Sequence, residues 1–296
     1  MSKILETVPN FSEGRNRETI EAIADCFRGQ DGVKLLDYSA DKDHNRSVFT
    51  VIGEPQALRD AVIQAAGVAL ERIDLRLHKG QHPRMGAVDV IPFIPIRDCS
   101  LEEADQIARE VGQALGQQLG QPVFLYERSA TRPNRENLSD IRRGEFEGMA
   151  EKMKGEGWAP DFGPPTIHES GGVTAVGARM PLVAYNINLG TDKLEIAQAI
   201  ARKVRHSNGG LRYVKAMGVM LEDRHQAQVS MNITDYTQSS IYRVFELVKM
   251  EAARYGVAVV GSELIGLIPL RALVDSAEYY LQMEGFSMDQ VLETRL

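Results

Sequence analysis

Residues 78 to 89 read HKGQHPRMGAVD and hold two of the six histidines, His78 and His82, four positions apart. Zinc metalloproteases use the same spacing, but on a helix and with a glutamate beside the first histidine. Here Lys79 takes the place of that glutamate, and Gly80 and Pro83 break any helix that would bring both rings to one face. No metal site is expected. Two readings stay open: solvated loop residues, or an acid-base group in an anion-binding loop. The second gains from the setting, a glycine-containing segment between a long helix and an apolar strand, with Lys79 and Arg84 alongside. An imidazole exchanges protons near neutral pH, and neighbouring cations lower its pKa so that it stays a free base. His82 is the better candidate for that role. His78, at the end of the preceding helix, reads as structural.

Three other polar stretches meet the same test. VPNFSEGRN carries Pro9, Asn10, Ser12 and Gly14 after a strand and reads as a strand-to-helix turn or as part of a site. DYSADKDHNRSV gathers Asp37, Asp41, Asp43, His44, Asn45 and Arg46 between two strands; it reads as a polar hairpin and does not complete a calcium-loop pattern. WAPDFGPPTIHESGGVTAVGARM holds the only tryptophan, Trp158, with Gly171 and Gly172, and reads as a linker or as a place where backbone approaches a ligand. Cys26 and Cys99 have no motif partner for catalysis or pairing. Neither a P-loop nor a strand-to-helix GxGxxG is present, so ATP and nicotinamide chemistry is not expected.

The elements that must position these residues repeat a pattern. ILETVPNF, a helix over about 16 to 28, VKLLDYS, RSVFTVIG, a helix over about 55 to 74 and VDVIPFIPI give β-α-β-β-α-β. PLVAYNINL, a helix to about Arg205, YVKAMGVML, QAQVSMNIT, a helix from about Ser240 to Arg254 and GVAVVGSEL repeat that order. Each is a ferredoxin-like α/β arrangement, an antiparallel sheet with its helices on one face. The boundary is placed near residue 179, giving domains 1–178 and 179–296. Between the modules come a helix over about 100 to 119, a strand PVFLYE, and a coil-forming stretch from Thr131 to Gly163 read as a surface excursion.

Composition sets the outer limits. The 34 basic and 41 acidic residues give a net charge of -7, against nucleic acid as a partner. Two isolated cysteines suit a reducing compartment, and no apolar stretch approaches a membrane span or signal peptide, so a cytoplasmic protein is expected.

VPNFSEGRN, HKGQHPRMGAVDVIPFIP, WAPDFGP, YNINL and VGSELIGLIPL, in this order, resemble the formiminotransferase domain family over essentially the whole chain. The resemblance implies a homodimer of two-subdomain chains that moves a formimino group from N-formimino-L-glutamate to tetrahydrofolate, in histidine degradation. His82 falls on the family's catalytic histidine, and the stretch Gly163 to Gly172 on its folate-binding segment, making Gly163, Pro164, Gly171 and Gly172 the folate candidates. Substrate carboxylates make Arg46, Lys79 and Arg84 binding candidates, with Asn10 and Asp41 beside them. Animal members have an acidic residue where this chain has Ser39, so Asp41 or Asp43 is the expected substitute for orienting the histidine. Animal members also add a cyclodeaminase, which places this chain nearer the free-standing bacterial type. N-formylglutamate as donor, folate salvage by the same site, and a non-catalytic folate-binding module are the competing readings.

Overall fold

The structure, a computed structural model, describes residues 3–295. The chain divides into two compact units, the first ending at Arg179 and the second beginning at Met180.

In the first unit, β1 (Ile4–Thr7) and β2 (Asn10–Phe11) form one strand interrupted at Pro9, followed by α1 (Arg17–Asp25), β3 (Val33–Asp41), β4 (Arg46–Gly53), α2 (Pro55–Arg72) and β5 (Val88–Arg97). The β1/β2 line lies between β4 and β5, and β3 closes the edge beyond β4, all antiparallel. This is the ferredoxin-like order. Strand periodicity sets the two faces: Ser47, Phe49 and Val51 of β4 are buried, while Arg46, Val48, Thr50 and Ile52 alternate with them and stay half-exposed. Helices α1 and α2 cover the buried face through Ile20, Ile23, Leu58, Val62 and Ala65.

The unit then extends. α3 (Leu101–Gln118) opens with a capping box, the Ser100 hydroxyl accepting from the Glu103 amide while the Glu103 carboxylate accepts from the Ser100 amide; such a cap contributes about 1 kcal/mol. β6 (Val123–Leu125), α4 (Leu138–Arg142), α5 (Glu145–Lys152) and β7 (Thr174–Ala178) follow, with β7 parallel to both β5 and β6.

The stretch from Thr131 to Gly163 departs from the expected surface excursion. It covers the second face of the sheet, where Ile141, Met149 and Met153 bury against Val90, Phe124, Tyr126 and Ala175. Its few apolar residues follow no regular period, so composition alone reads as coil. An arginine anchors it: Arg135, 1% exposed, donates to the Asp161 carboxylate at 2.7 Å and to the carbonyls of Gly157 and Ala159 at 2.6 and 2.5 Å, over the Phe124 ring.

The second unit is β8 (Val183–Leu189), α6 (Leu194–Val204), β9 (Val214–Leu221), β10 (Gln226–Ile233), α7 (Ile241–Ala253) and β11 (Val259–Ile265), with α8 (Leu270–Leu281) added. Its sheet runs β11-β8-β10-β9, antiparallel throughout. Val183, Tyr185, Ile187 and Leu189 pack beneath α6 and α7, whereas Asn188 and Gln228 point to the other face, where Gln228 donates to the Asn188 amide oxygen at 2.8 Å. Among the described residues no helix is long and apolar enough to cross a membrane.

Removing one partner from a buried ion pair strands the other, at about 3–5 kcal/mol. Asp161 accepts from Arg135, from the Leu125 amide and from the Thr131 hydroxyl. Asp161→Ala is therefore expected to destabilise the first unit by about that amount in a urea melt; a change within about 0.5 kcal/mol, as at ordinary surface positions, would show that Arg135 does not anchor the excursion.

Candidate active site

The histidine loop, residues 74 to 87, is held at almost every turn by main-chain hydrogen bonds to segments distant in sequence. The Ser12 amide donates to Ala87 O at 2.9 Å and its hydroxyl to Gly86 O at 2.7 Å. The Ala87 amide donates to Gly171 O and the Val173 amide to Met85 O, each at 2.9 Å. From the β3–β4 turn, Asn45, in the left-handed region at φ 50, donates its side-chain amide to Lys79 O at 3.1 Å, while the Gln81 amide donates to Asp43 O. The Asn45 side-chain oxygen accepts from the Gly14 amide at 2.9 Å. All three polar stretches flagged in the sequence thus converge on HKGQHPRMGAVD.

His82 is 7% exposed. Its Nδ1 lies 2.7 Å from the Pro83 carbonyl, which can only accept, so Nδ1 carries the proton and Nε2 keeps the lone pair. Burial and then the charge of Arg46 hold the imidazole down to about 4, with Arg142 acting in the same sense and Asp89 and the Pro83 hydrogen bond opposing. The free protein therefore presents His82 as a neutral base.

Asp89, 1% exposed on β5, accepts from the Met85 amide at 2.9 Å with one oxygen and from Nε and Nη2 of Arg142 with the other. Arg46, at the start of β4, is half-buried, and among the described residues no carboxylate forms an ion pair with it; burial and the nearby Arg142 cation both lower its pKa. Asn10 sits between these strands, in register with Val48 and Val90, its side-chain amide donating to Val8 O at 2.8 Å.

Several expected residues have other duties. Arg84 is not a free carboxylate receptor: it is 8% exposed, donates to Glu145 and Glu147 of α5 at 3.1 and 2.6 Å, and donates from Nε to His78 Nδ1 at 3.2 Å. His78 completes that arrangement by donating from Nε2 to Asn45 O at 2.9 Å, so both ring nitrogens are engaged and its role is structural. Asp41 does not orient His82; it accepts from the Asp43 and His44 amides at 2.8 Å and faces the His44 ring, capping the hairpin turn. Asp43 is likewise replaced in that role by the Pro83 carbonyl. Lys79 is exposed.

The folate candidates lie in closely packed backbone. A Cβ on Gly172 would lie 2.1 Å from Met85 O, one on Gly163 2.4 Å from Gln121 O, and one on Gly171 2.5 Å from the Leu70 side chain. The chain's own atoms already fill the space that these glycines leave open, and Gly171 and Gly172 are buried. Pro164 follows Gly163 at the same packed turn, half-exposed. Gly171 and Gly172 lie directly against the histidine loop, at Ala87 and Met85, whereas Gly163 is exposed and lies against Gln121 and Gly116. Asp89 and Arg142 were not anticipated. A carboxylate inside the apolar run AVDVIPF is a signal that could have found Asp89, because a buried charge needs a partner. Arg142 lies among several arginines in the excursion and carries no such signal.

The family model for the N-terminal subdomain of the formiminotransferase domain matches residues 4–179, and that for the formiminotransferase domain matches residues 184–295. The chain is 54% identical to the glutamate formimidoyltransferase of Streptococcus pyogenes serotype M1, covering 100% of this chain and 99% of that protein. It is 45% identical to the glutamate formimidoyltransferase of Thermoplasma acidophilum, over 99% and 97% respectively. It is 43% identical to the formimidoyltransferase-cyclodeaminase of Rattus norvegicus, covering 96% of this chain and 53% of that longer protein. With matches across both units, the chain belongs to the formiminotransferase domain family.

Proposed function

We propose that this chain is a glutamate formimidoyltransferase, moving the formimino group of N-formimino-L-glutamate to N5 of tetrahydrofolate and releasing L-glutamate. The observation that carries the mechanism is His82, with Nδ1–H held by the Pro83 carbonyl, the lone pair left on Nε2, and the charges of Arg46 and Arg142 acting on the ring. The relatives named for this activity support the substrates.

The chemistry needs one proton carrier and no side-chain nucleophile, because the attacking nitrogen belongs to tetrahydrofolate. N5 attacks the amidine carbon and gives its proton to His82 Nε2. The tetrahedral adduct then breaks its bond to the glutamate nitrogen, which takes the proton back from the histidinium. Holding both substrates against the same imidazole supplies much of the remaining acceleration. An imidazole at about 4 is a ready acceptor of hydrogen bonds but a weak base. A substrate carboxylate that neutralises the adjacent guanidiniums raises its basicity when the donor binds, so the proton carrier is strengthened only in the loaded site. The same reading carries a homodimeric, cytoplasmic enzyme with tetrahydrofolate as co-substrate.

Purified protein given tetrahydrofolate and formiminoglutamate is expected to release glutamate, with N-formylglutamate a poor donor; folate binding without transfer would overturn the reading. His82→Ala is expected to keep its fold and lose roughly 10²- to 10⁴-fold in kcat, and an unchanged kcat would remove His82 from the chemistry.

The pH dependence follows from the depressed imidazole. A lowered pKa leaves the free base present above about 4, so the acidic limb of kcat/KM, which reports the free enzyme, should lie well below the ordinary histidine range. Arg46→Gln removes the strongest charge acting on the ring and should move that limb upward, which the kcat/KM profile and an NMR titration of the ring both read. A limb that stays in place would dissociate Arg46 from His82.

Arg84→Ala separates positioning from binding. Losing charged hydrogen bonds at a nearly buried site is expected to lower stability by about 1.5–3 kcal/mol, with the salt response of KM for both substrates kept as in the parent. A KM that loses its salt dependence would return Arg84 to the substrate site.

A further inference from the structure

Arg142 reaches the histidine from the segment that composition marks as coil, and its geometry leaves it half-used. Asp89 takes hydrogen bonds from Nε and Nη2. A guanidinium has five N–H donors, so Nη1 and one Nη2 proton stay available, and the side chain is 19% exposed. Phe11 pairs with Ser47 on one side and with Val88 on the other, which brings Arg46 at the start of β4 to the same end of the sheet as Asp89, and there the two cations repel. Asp89 is bonded to Arg142 and not to Arg46, and Arg46 has opposite it on β3 only the exposed Asp41, whose carboxylate is engaged by the Asp43 and His44 amides, so Arg46 beside a neutral imidazole is left to take an anion.

Substrate chemistry identifies that anion. In formiminoglutamate the nitrogen that leaves is bonded to Cα, and Cα carries the α-carboxylate, so any ring that reaches this nitrogen has the α-carboxylate beside it. The donor's side-chain carboxylate is two methylenes further on. Folate's own carboxylates lie beyond the aminobenzoyl ring, at the opposite end from N5. Cations flanking the proton carrier therefore meet the α-carboxylate before any other.

Resting on the activity proposed above, we infer that Arg46 and Arg142 together form the receptor for the α-carboxylate of the formimino donor, with Lys152 as the positioning residue that holds Arg142 in place. α4 has five residues and is too short to persist alone. Its last carbonyls are gathered by the Lys152 ammonium, which donates to Asp140 O at 2.5 Å, Ile141 O at 2.7 Å and Arg143 O at 3.1 Å. That ammonium sits 3.9 Å from the centroid of Trp158, whose ring packs on Phe124 of the sheet. The orientation of Arg142 thus passes through Lys152 and Trp158 to β6.

The test compares two donors, formiminoglutamate and 4-formimidoylaminobutanoate, which lacks only the α-carboxylate. The parent should prefer the former in kcat/KM, and Arg46→Gln and Arg142→Lys should each erase roughly 10- to 100-fold of that preference while leaving KM for tetrahydrofolate unchanged. Arg142→Lys keeps a cation against Asp89, so it stays folded where Arg142→Gln would strand a buried carboxylate. Lys152→Met should raise KM for formiminoglutamate and leave turnover of the truncated donor alone; equal losses with both donors would mark Lys152 as merely structural and overturn its positioning role. A preference kept in both arginine variants overturns the receptor. A parent inactive with either donor would instead overturn the transferase reading itself.

Discussion

A carboxylate buried in an apolar strand has to be matched, and the site is organised around how Asp89 is matched. One oxygen takes the amide of Met85 and so fixes the histidine loop; the other takes Arg142 and so fixes the segment that covers the second face of the sheet. Its charge opposes the two arginines at His82. Loop position, segment docking and the tuning of the imidazole depend on the same side chain. Leaving such a group unpaired costs several kcal/mol, which is enough to make the three features form together.

The acidic total of the chain and the cationic character of the site are compatible because the site's charge is local. Arg84, which lies in the conspicuous motif, is neutralised by Glu145 and Glu147 and serves as a brace. Arg46, which lies outside it, has no carboxylate ion pair among the described residues, and Arg142, though bonded to Asp89, still lowers the basicity of the ring. A cation is useful for recognition where the fold declines to pair it, and sequence position alone does not reveal where that happens.

The fold was largely legible in the sequence, because alternation in RSVFTVIG and helical spacing in the two modules are local signals that tertiary packing reinforces. The loop around His82 was legible too: Gly80 and Pro83 break a helix there, and no helix or strand covers residues 78 to 83. What was not legible depended on pairing across distance. Gly171 and Gly172 look the same in sequence whether a ligand or a carbonyl approaches them, and only the fold shows the Met85 carbonyl there. Arg135 and Arg142 look like solvated charge until Asp161 and Asp89 are placed opposite them.

The partner of His82 Nδ1 is the carbonyl of the very next residue. Many catalytic histidines are oriented by a side chain elsewhere in the fold, and a substitution there can erase the tautomer. Here the instruction is written into the peptide chain itself, where no side-chain replacement can delete it. The arrangement has a chemical signature as well: a neutral carbonyl gives the histidinium less support than a carboxylate would, so the basicity of the ring is set by the charges around it, Asp89 against Arg46 and Arg142.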